Sequence, residues 1–381
     1  MAPLDPKPGF ATIGDNPTSL WGMSATERVR RIALAAGLAP REGGSGPVLL
    51  ANADIAFDPA WLRHLVDEPG TVLTLRGAPA LAHARDAAEA SAIEAAIREG
   101  RPLDARSALH VLAYEDGPTI ENKALRKRET PFVMPLRPET VRAIERASYF
   151  GAYKGVTDIL TKYLWPEWAL VLTRISARLG LTPNMITTIG AVMCVLATWC
   201  FAEGRYFLGM ALGLGFMVLD TVDGKLARCT ITSSAWGNVF DHGMDLVHPP
   251  FWWWFWATGL VHWGLAYDDA TFWWVQGAIQ GGYLVQRLIE GIFMRQCGMH
   301  IHVWQRFDSQ FRLITARRNP NMVILFVATV FARPDLGLIA VAWWTVISCL
   351  IHAVRLVQAE LVLWRGGAIT SWLSEEGALA R

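Results

Sequence analysis

Four aspartates carry the densest chemical signal in this chain. Asp220 and Asp223 open the run Asp220-Thr-Val-Asp-Gly-Lys-Leu-Ala-Arg228, and Asp241 and Asp245 follow Gly237. The pattern is D-x-x-D-G-x-x-A-R-x8-G-x3-D-x3-D. Residues three, four or seven apart share a helix face. Asp220, Asp223, Gly224 and Ala227 therefore form one stripe, and Gly237, Asp241 and Asp245 form a second on the next helix. A turn around Cys229 to Ser234 lets the stripes face each other. Hard divalent cations prefer carboxylate oxygens, and Mg²⁺ commonly joins one or two carboxylates to substrate phosphates. The spacing thus points to a cation site for a phosphate-bearing substrate.

The elements that must position these acids are apolar. No charge interrupts Tyr206 to Leu219 before the first pair, or Leu246 to Leu260 after the second, with His248 neutral. Each run spans roughly 20 Å as a helix, against a hydrocarbon core about 30 Å thick. Asp220 and Asp245 then lie at similar depth, near one membrane face. Four aspartates at the bilayer centre would cost around 10 kcal/mol on insertion scales. Two unit charges 4 Å apart repel by about 4 kcal/mol at an effective dielectric of 20. Cations and water access relieve both costs.

Six spans are expected, near 184–203, 206–228, 235–261, 270–296, 319–333 and 336–364, the fifth short or tilted. Lys225, Arg228, Arg306, Arg312, Arg317, Arg318 and Arg365 then fall on one side with the amino-terminal half. The positive-inside rule makes that side, both termini and the carboxylate site cytoplasmic. Most of the 18 Trp lie after residue 160, which suits interfacial anchoring, with core packing explaining some of them. Pro166 opens an amphipathic helix to about Leu179. Its apolar face carries Leu170, Val171, Ile175 and Leu179, and its polar face Arg174 and Arg178, as in a helix lying in the headgroup plane. Met1 to Asp15 has no apolar signal-peptide core, so insertion is expected to rely on the first membrane helix.

The region before residue 130 alternates strand and helix. Ser24 to Gly37 has a capping box of Ser24 with Glu27. Pro47 to Asp54 reads as a buried strand, Asp58-Pro59 starts a helix to about Val66, and Thr71 to Leu75 is a strand. Asp86 caps a helix to Glu99, and Ala108 to Ala113 is a short strand. The fold class is therefore a small α/β domain with a mainly parallel sheet, followed by an all-α polytopic membrane domain. The expected divisions are 1–130, a linker with the interfacial helix at 131–180, and the six-helix domain at 181–381. The basic run Glu121 to Arg128 suits either a solvated face or anionic headgroups. With a net charge of +1, no global field argues for nucleic acid. The five cysteines show no metal or redox spacing and read as apolar fillers.

All eight fixed positions of the motif match the signature of the CDP-alcohol phosphotransferases, and residues from about 150 to 365 resemble that family. The resemblance implies a CMP-releasing transferase of phospholipid synthesis. An acceptor hydroxyl attacks the β-phosphorus of a CDP-alcohol, CDP-diacylglycerol being the expected donor. It implies two divalent ions, Mg²⁺ or Mn²⁺, with Asp220, Asp223, Asp241 and Asp245 as ligands. Asp241 and Asp245 are the catalytic pair, and Asp245 takes the acceptor's proton. Gly224, Ala227 and Gly237 are the small positions that admit the nucleotide, or that let helices pack closely. Arg228 pairs with phosphate or Asp, or snorkels to the interface. The turn Thr182-Pro183-Asn184 with Thr187 either lines the nucleotide pocket or caps the first span. The family also implies a homodimer in a membrane, here expected to be a bacterial inner membrane.

Arg312, Arg317, Arg318 and Asn319, at the entry to the fifth span, suit a phosphorylated acceptor or positive-inside residues. His242 and His248 are placed to ligate, shuttle a proton or hydrogen-bond behind the acids. Glu290 and Arg355 should face the bundle interior. The amino-terminal half faintly resembles sugar-phosphate nucleotidyltransferases, whose metal-binding Asp matches Asp54. Phe10 to Gly22, however, contains no Lys or Arg and only two glycines. A degenerate, non-catalytic domain is therefore expected, with Asp54 a strand-end cap. Rival readings are a bifunctional nucleotidyltransferase and CDP-polyol phosphotransferase of the inositol-phosphate type, and a non-enzymatic scaffold or transporter.

Overall fold

A computed structural model of the chain describes residues 8–41, 46–103, 108–122 and 125–374. It divides into two compact units. The first comprises residues up to Tyr153 with Arg174–Gly180 and Lys225–Ser233; the second holds the rest.

The first unit is an α/β fold. Its six-stranded sheet has the order β2-β1-β3-β6-β5-β7, formed by β1 (Gly9–Ile13), β2 (Ala39–Pro40), β3 (Val48–Asn52), β5 (Thr71–Leu75), β6 (Ala78–Ala84) and β7 (His110–Ala113). β1 pairs in parallel with β2 and β3, and β5 with β7. β6 runs antiparallel to both β3 and β5. Five of these six strands thus run the same way and β6 alone opposes them, so the sheet is mainly parallel with one antiparallel strand inside it. β5 turns straight back into β6 through Arg76 and Gly77, whose φ values of 51° and 80° suit a tight hairpin turn. Leu49 and Ala51 of β3 join one core, and Val48 and Leu50 another on the opposite face. Burial on both faces explains why this strand reads as a continuous apolar run.

The helices of this unit begin at side-chain caps. Ser24 caps α1 (Ala25–Ala35), Asp58 caps α2 (Pro59–Val66) and Asp86 caps α3 (Ala87–Glu99), each accepting from a backbone N–H. The second half of the expected capping box is replaced, because Glu27 pairs with Arg30 and Arg31. Those two guanidinium groups hold the Glu27 carboxyl down at about 2. Two short pairs complete the strands: β4 (Ile55–Phe57) with β10 (Val133–Pro135), and β8 (Ile120–Asn122) with β9 (Lys127–Glu129). Glu121, Asn122, Lys127 and Arg128 of the basic run lie in this last hairpin; its Lys123 and Ala124 lie outside the described residues. α4 (Val141–Gly151) closes the unit.

The second unit is helical. α5 (Pro166–Arg178), whose residues from Arg174 on belong to the first unit, exposes Trp168, Val171, Leu172, Ile175 and, just after its end, Leu179. Val171, Ile175 and Leu179 thus share the expected apolar face, and Leu170 alone is buried instead. α6 (Pro183–Ala202), α7 (Tyr206–Cys229), α8 (Ala235–Gly259), α9 (Asp269–Gln276) and α10 (Gly282–Cys297) follow, the last two joined by a π-helical turn. α11 (Arg306–Phe311), α12 (Arg318–Val330) and α13 (Pro334–Trp364) complete the chain. Among the described residues, α6, α7 and α13 are the helices long and apolar enough to cross a membrane. α12, with 13 residues, is about 20 Å long. Trp252 and Trp256 are fully buried, whereas Trp199, Trp236, Trp273 and Trp364 are exposed. Tryptophan thus serves both core and surface. All five cysteines are free.

Candidate active site

α7 and α8 bring three carboxylates together. Oxygens of Asp220, Asp241 and Asp245 lie within 4.8 Å of one another. Asp220 sits on α7, one turn before its Asp-Gly pair, and Asp241 and Asp245 share a face of α8 one turn apart. Three like charges at this separation repel by about 3 kcal/mol per pair at an effective dielectric of 20. Part of that cost is offset by Arg318 at the start of α12. Its Nη2 donates to Asp220 at 2.8 Å and its Nη1 to Asp245 at 2.8 Å. The guanidinium also lies 4.9 Å from the Phe216 ring centre. One cation against three carboxylates leaves net negative charge, and all the donors are hard oxygens. The trio fits a divalent cation, which small side-chain rotations would close upon.

Asp223 is placed differently from its three partners. It is buried and accepts from the Thr187 hydroxyl of α6 at 2.5 Å and from the Gly224 N–H. It therefore stands outside the converging trio. Thr187 supports a carboxylate directly in this arrangement. Asn184, one turn earlier, faces Gly237: a Cβ on Gly237 would come within 2.9 Å of Asn184 Oδ1 and 3.0 Å of Ser234 Oγ. That close approach of α6 to α8 explains the glycine. Ser234 caps α8 by accepting from Gly237 N–H at 3.0 Å. Ala227 and Arg228 continue α7 and belong, with Lys225, to the first unit. The Lys225 ammonium is buried there over the Tyr153 ring, 3.0 Å from its centre.

The expected basic residues divide between two places. Arg318 is on the carboxylates. Arg317 donates to Glu290, which also faces Arg287 Nη1 at 3.2 Å and His302 Nε2 at 3.2 Å. Burial keeps His302 neutral well below its usual range, although Glu290 pulls the other way. Nε of both Arg287 and Arg317 is buried without a hydrogen-bond partner among the described residues. Glu290 and Arg355 are both paired inside the helical unit, Arg355 on Asp308 at 2.7 Å. His242 bonds Asn238 O at 2.9 Å and sits 3.7 Å from Asp241. His248 bonds Met244 O at 2.6 Å and packs edge-on against Phe216 and Trp252.

Asp158, in the segment before α5, is a buried carboxylate that no local motif marks. Asn319 Nδ2 donates to it at 3.0 Å and accepts, through Oδ1, from Arg318 Nε at 3.0 Å. Thr161 adds its N–H and hydroxyl. Burial works to raise the Asp158 pKa, but the nearby Arg312 charge and these hydrogen bonds outweigh it and hold it below the usual carboxylate value. A polar chain thus runs from Asp158 through Asn319 and Arg318 to the acids. Its members come from distant parts of the sequence, and only the Arg-Asn pair before an apolar helix hints at it.

In the first unit, Asp54 accepts from Asn16 Nδ2 at 2.8 Å, and its N–H bonds Asn52 Oδ1 at 2.9 Å. The loop after β1 closes on itself through Leu20 and Met23. Its Trp21 is buried, with the indole N–H on Ser148 Oγ at 2.8 Å.

Residues 180–314 match the CDP-alcohol phosphatidyltransferase family. The chain is similar to cholinephosphotransferase 1 of Gallus gallus, with 34% identity over 32% of this chain and 38% of that protein. It is similar to archaetidylinositol phosphate synthase of Pyrococcus horikoshii, with 28% identity over 48% of this chain and 88% of that protein. It is also 27% identical, over 42% of its length and 34% of the relative's, to a bifunctional IPC transferase and DIPP synthase of Rubrobacter xylanophilus. The chain spans little more than a third of the cholinephosphotransferase it matches.

Proposed function

We infer that this chain, which carries a CDP-alcohol phosphatidyltransferase domain at residues 180–314, transfers a phosphoalcohol from a CDP-alcohol to an acceptor hydroxyl and releases CMP. The convergence of Asp220, Asp241 and Asp245 carries the reading. Divalent ions, when bound, would neutralise the diphosphate and polarise its oxygens. The chain's own residues do the rest. Asp220 and Asp241 are assigned as ion ligands. Asp223 is assigned with them and is anchored by Thr187. Asp245 has the most exposed side chain of the trio, at 48%, and is assigned the acceptor's proton. The acceptor oxygen bonds to the β-phosphorus as the bond from phosphorus to the CMP oxygen breaks. Gly237 is assigned to the nucleotide pocket together with Asn184, whose side chain lies against it.

The acceptor is assigned a phosphate of its own. Arg287 and Arg317 present buried guanidinium nitrogens beyond what Glu290 can satisfy, which favours an anionic guest. Two similar proteins, an archaetidylinositol phosphate synthase and a bifunctional IPC transferase and DIPP synthase, lean the same way by name. CDP-diacylglycerol is the donor we assign. We place six helices across the membrane, with the site and both termini on the cytoplasmic side. The exposed stripe on α5 supports a helix lying at that surface. The α/β unit is assigned no catalysis, since its Asp54 is occupied by Asn16 and its post-β1 loop is filled by Trp21.

The test is CMP formation by purified protein with Mg²⁺, CDP-diacylglycerol and a panel of free and phosphorylated polyols. Asp241→Asn is expected to lower the rate by about 100-fold or more, as loss of an ion ligand would. Full activity in that variant defeats the ion-site assignment. Turnover with unphosphorylated acceptors alone defeats the acceptor assignment.

A further inference from the structure

The link between the two acid-bearing helices has an unfavourable backbone. α7 ends with Thr232 N–H on Ala227 O at 2.8 Å, so Ile231 occupies the left-handed position of a Schellman-type turn. Its φ is +53°. Glycine is the residue that fits there, and a β-branched side chain fits worst. What Ile231 gains is contact. It packs against the α/β core cluster that contains Phe57, Trp61 and Val133. Next to it, the Thr230 carbonyl accepts from Arg31 Nη1 at 3.0 Å. Arg31 is itself held by Glu27 at 2.7 Å. These contacts are internal to the first unit, which includes Lys225–Ser233. Along the chain, Asp223 precedes that segment and Gly237 and Asp241 follow it.

We propose that the α/β unit is a positioning module, with Ile231 and Arg31 holding the α7–α8 connector in the geometry that keeps Asp220 and Asp241 together. If the contacts of Ile231 do not hold the connector, Ile231→Gly is neutral or beneficial there, because it removes backbone strain. Positioning predicts the opposite. The proposal rests on the acids being a cation site, so one of the readouts is independent of that reading.

The experiment uses the full chain in nanodiscs and compares wild type with Ile231→Gly, Ile231→Val, Arg31→Ala and Arg31→Lys. Mn²⁺ binding is followed by electron paramagnetic resonance, and amide exchange of residues 229–234 by mass spectrometry. Ile231→Gly and Arg31→Ala are expected to weaken Mn²⁺ binding by about fivefold, within the range of measured couplings between neighbouring elements. Both should speed connector exchange, while Ile231→Val keeps both properties near wild type. Unchanged connector protection in Ile231→Gly overturns the proposal. If wild type binds no Mn²⁺, the cation reading fails, and connector exchange alone then decides the positioning role.

Discussion

Each half of the chain puts aspartates at the ends of apolar elements, and the two halves treat them differently. After β3, Asp54 stands alone and is closed off by amide partners, Asn16 on its carboxylate and Asn52 on its N–H. On α7 and α8, three aspartates face one another with a single arginine between two of them. A lone carboxylate satisfied by amides is a strand-end device. Three carboxylates within 4.8 Å of one another, with one arginine on two of them, are a standing electrostatic cost, which no structural need of a helical hairpin explains. On the proposed reading, the contrast separates the unit assigned the chemistry from the unit assigned none.

After the loss of an ion ligand, the contrast breaks most severely at Arg318. Arg318→Ala removes the countercharge from two acids at once, and CMP formation should fall at least about 10-fold. Arg318→Lys should recover little, because one ammonium cannot span both carboxylates as the fork does. Activity near wild type in both variants would reduce Arg318 to a surface charge. Next comes Thr187→Val, which leaves the buried Asp223 short of its donor. A loss of about 1–3 kcal/mol is expected in thermal or denaturant unfolding.

Acid sensitivity sharpens the comparison further. The Asp158 pKa is depressed in the folded chain, so its contribution to stability is complete above the unfolded value of about 3.9 and fades as pH falls through the native pKa. Asp158→Asn should therefore flatten the acid limb of stability below about pH 4 relative to wild type. An unchanged limb would mean the polar chain through Asn319 and Arg318 does not matter energetically. The smallest effect belongs to the α/β unit. Asp54→Asn should cost at most about 1 kcal/mol and leave CMP formation unaltered. Loss of turnover there would return a catalytic role to that half.

Much of this was legible from local pattern. Capping residues Ser24, Asp58 and Asp86 announce their helices, and uncharged runs ending at glycine, proline or a charge delimit α6, α7, α8 and α13. The meeting of Asp220 with Asp241 and Asp245 follows from helical spacing and a short connector. Nonlocal pairing was not legible. β6 was missed because Ala78 to Ala84 carries little strand propensity and owes its place to the Arg76-Gly77 turn and to β3 beside it. The separation of Asp223 from the trio depends on Thr187, a helix away. The link from Asp158 through Asn319 to Arg318 crosses more than 150 residues, a distance over which no spacing rule operates. Ile231 shows a third limit, since a strained backbone is invisible until its φ is seen.

The most direct measurement is the position of Mn²⁺ by anomalous scattering from crystals grown with the ion. The account requires a peak bonded to oxygens of Asp220, Asp241 and Asp245, and its disappearance in Asp241→Asn. A map with no peak there, and with Arg318 still bridging Asp220 and Asp245 at saturating Mn²⁺, would contradict it.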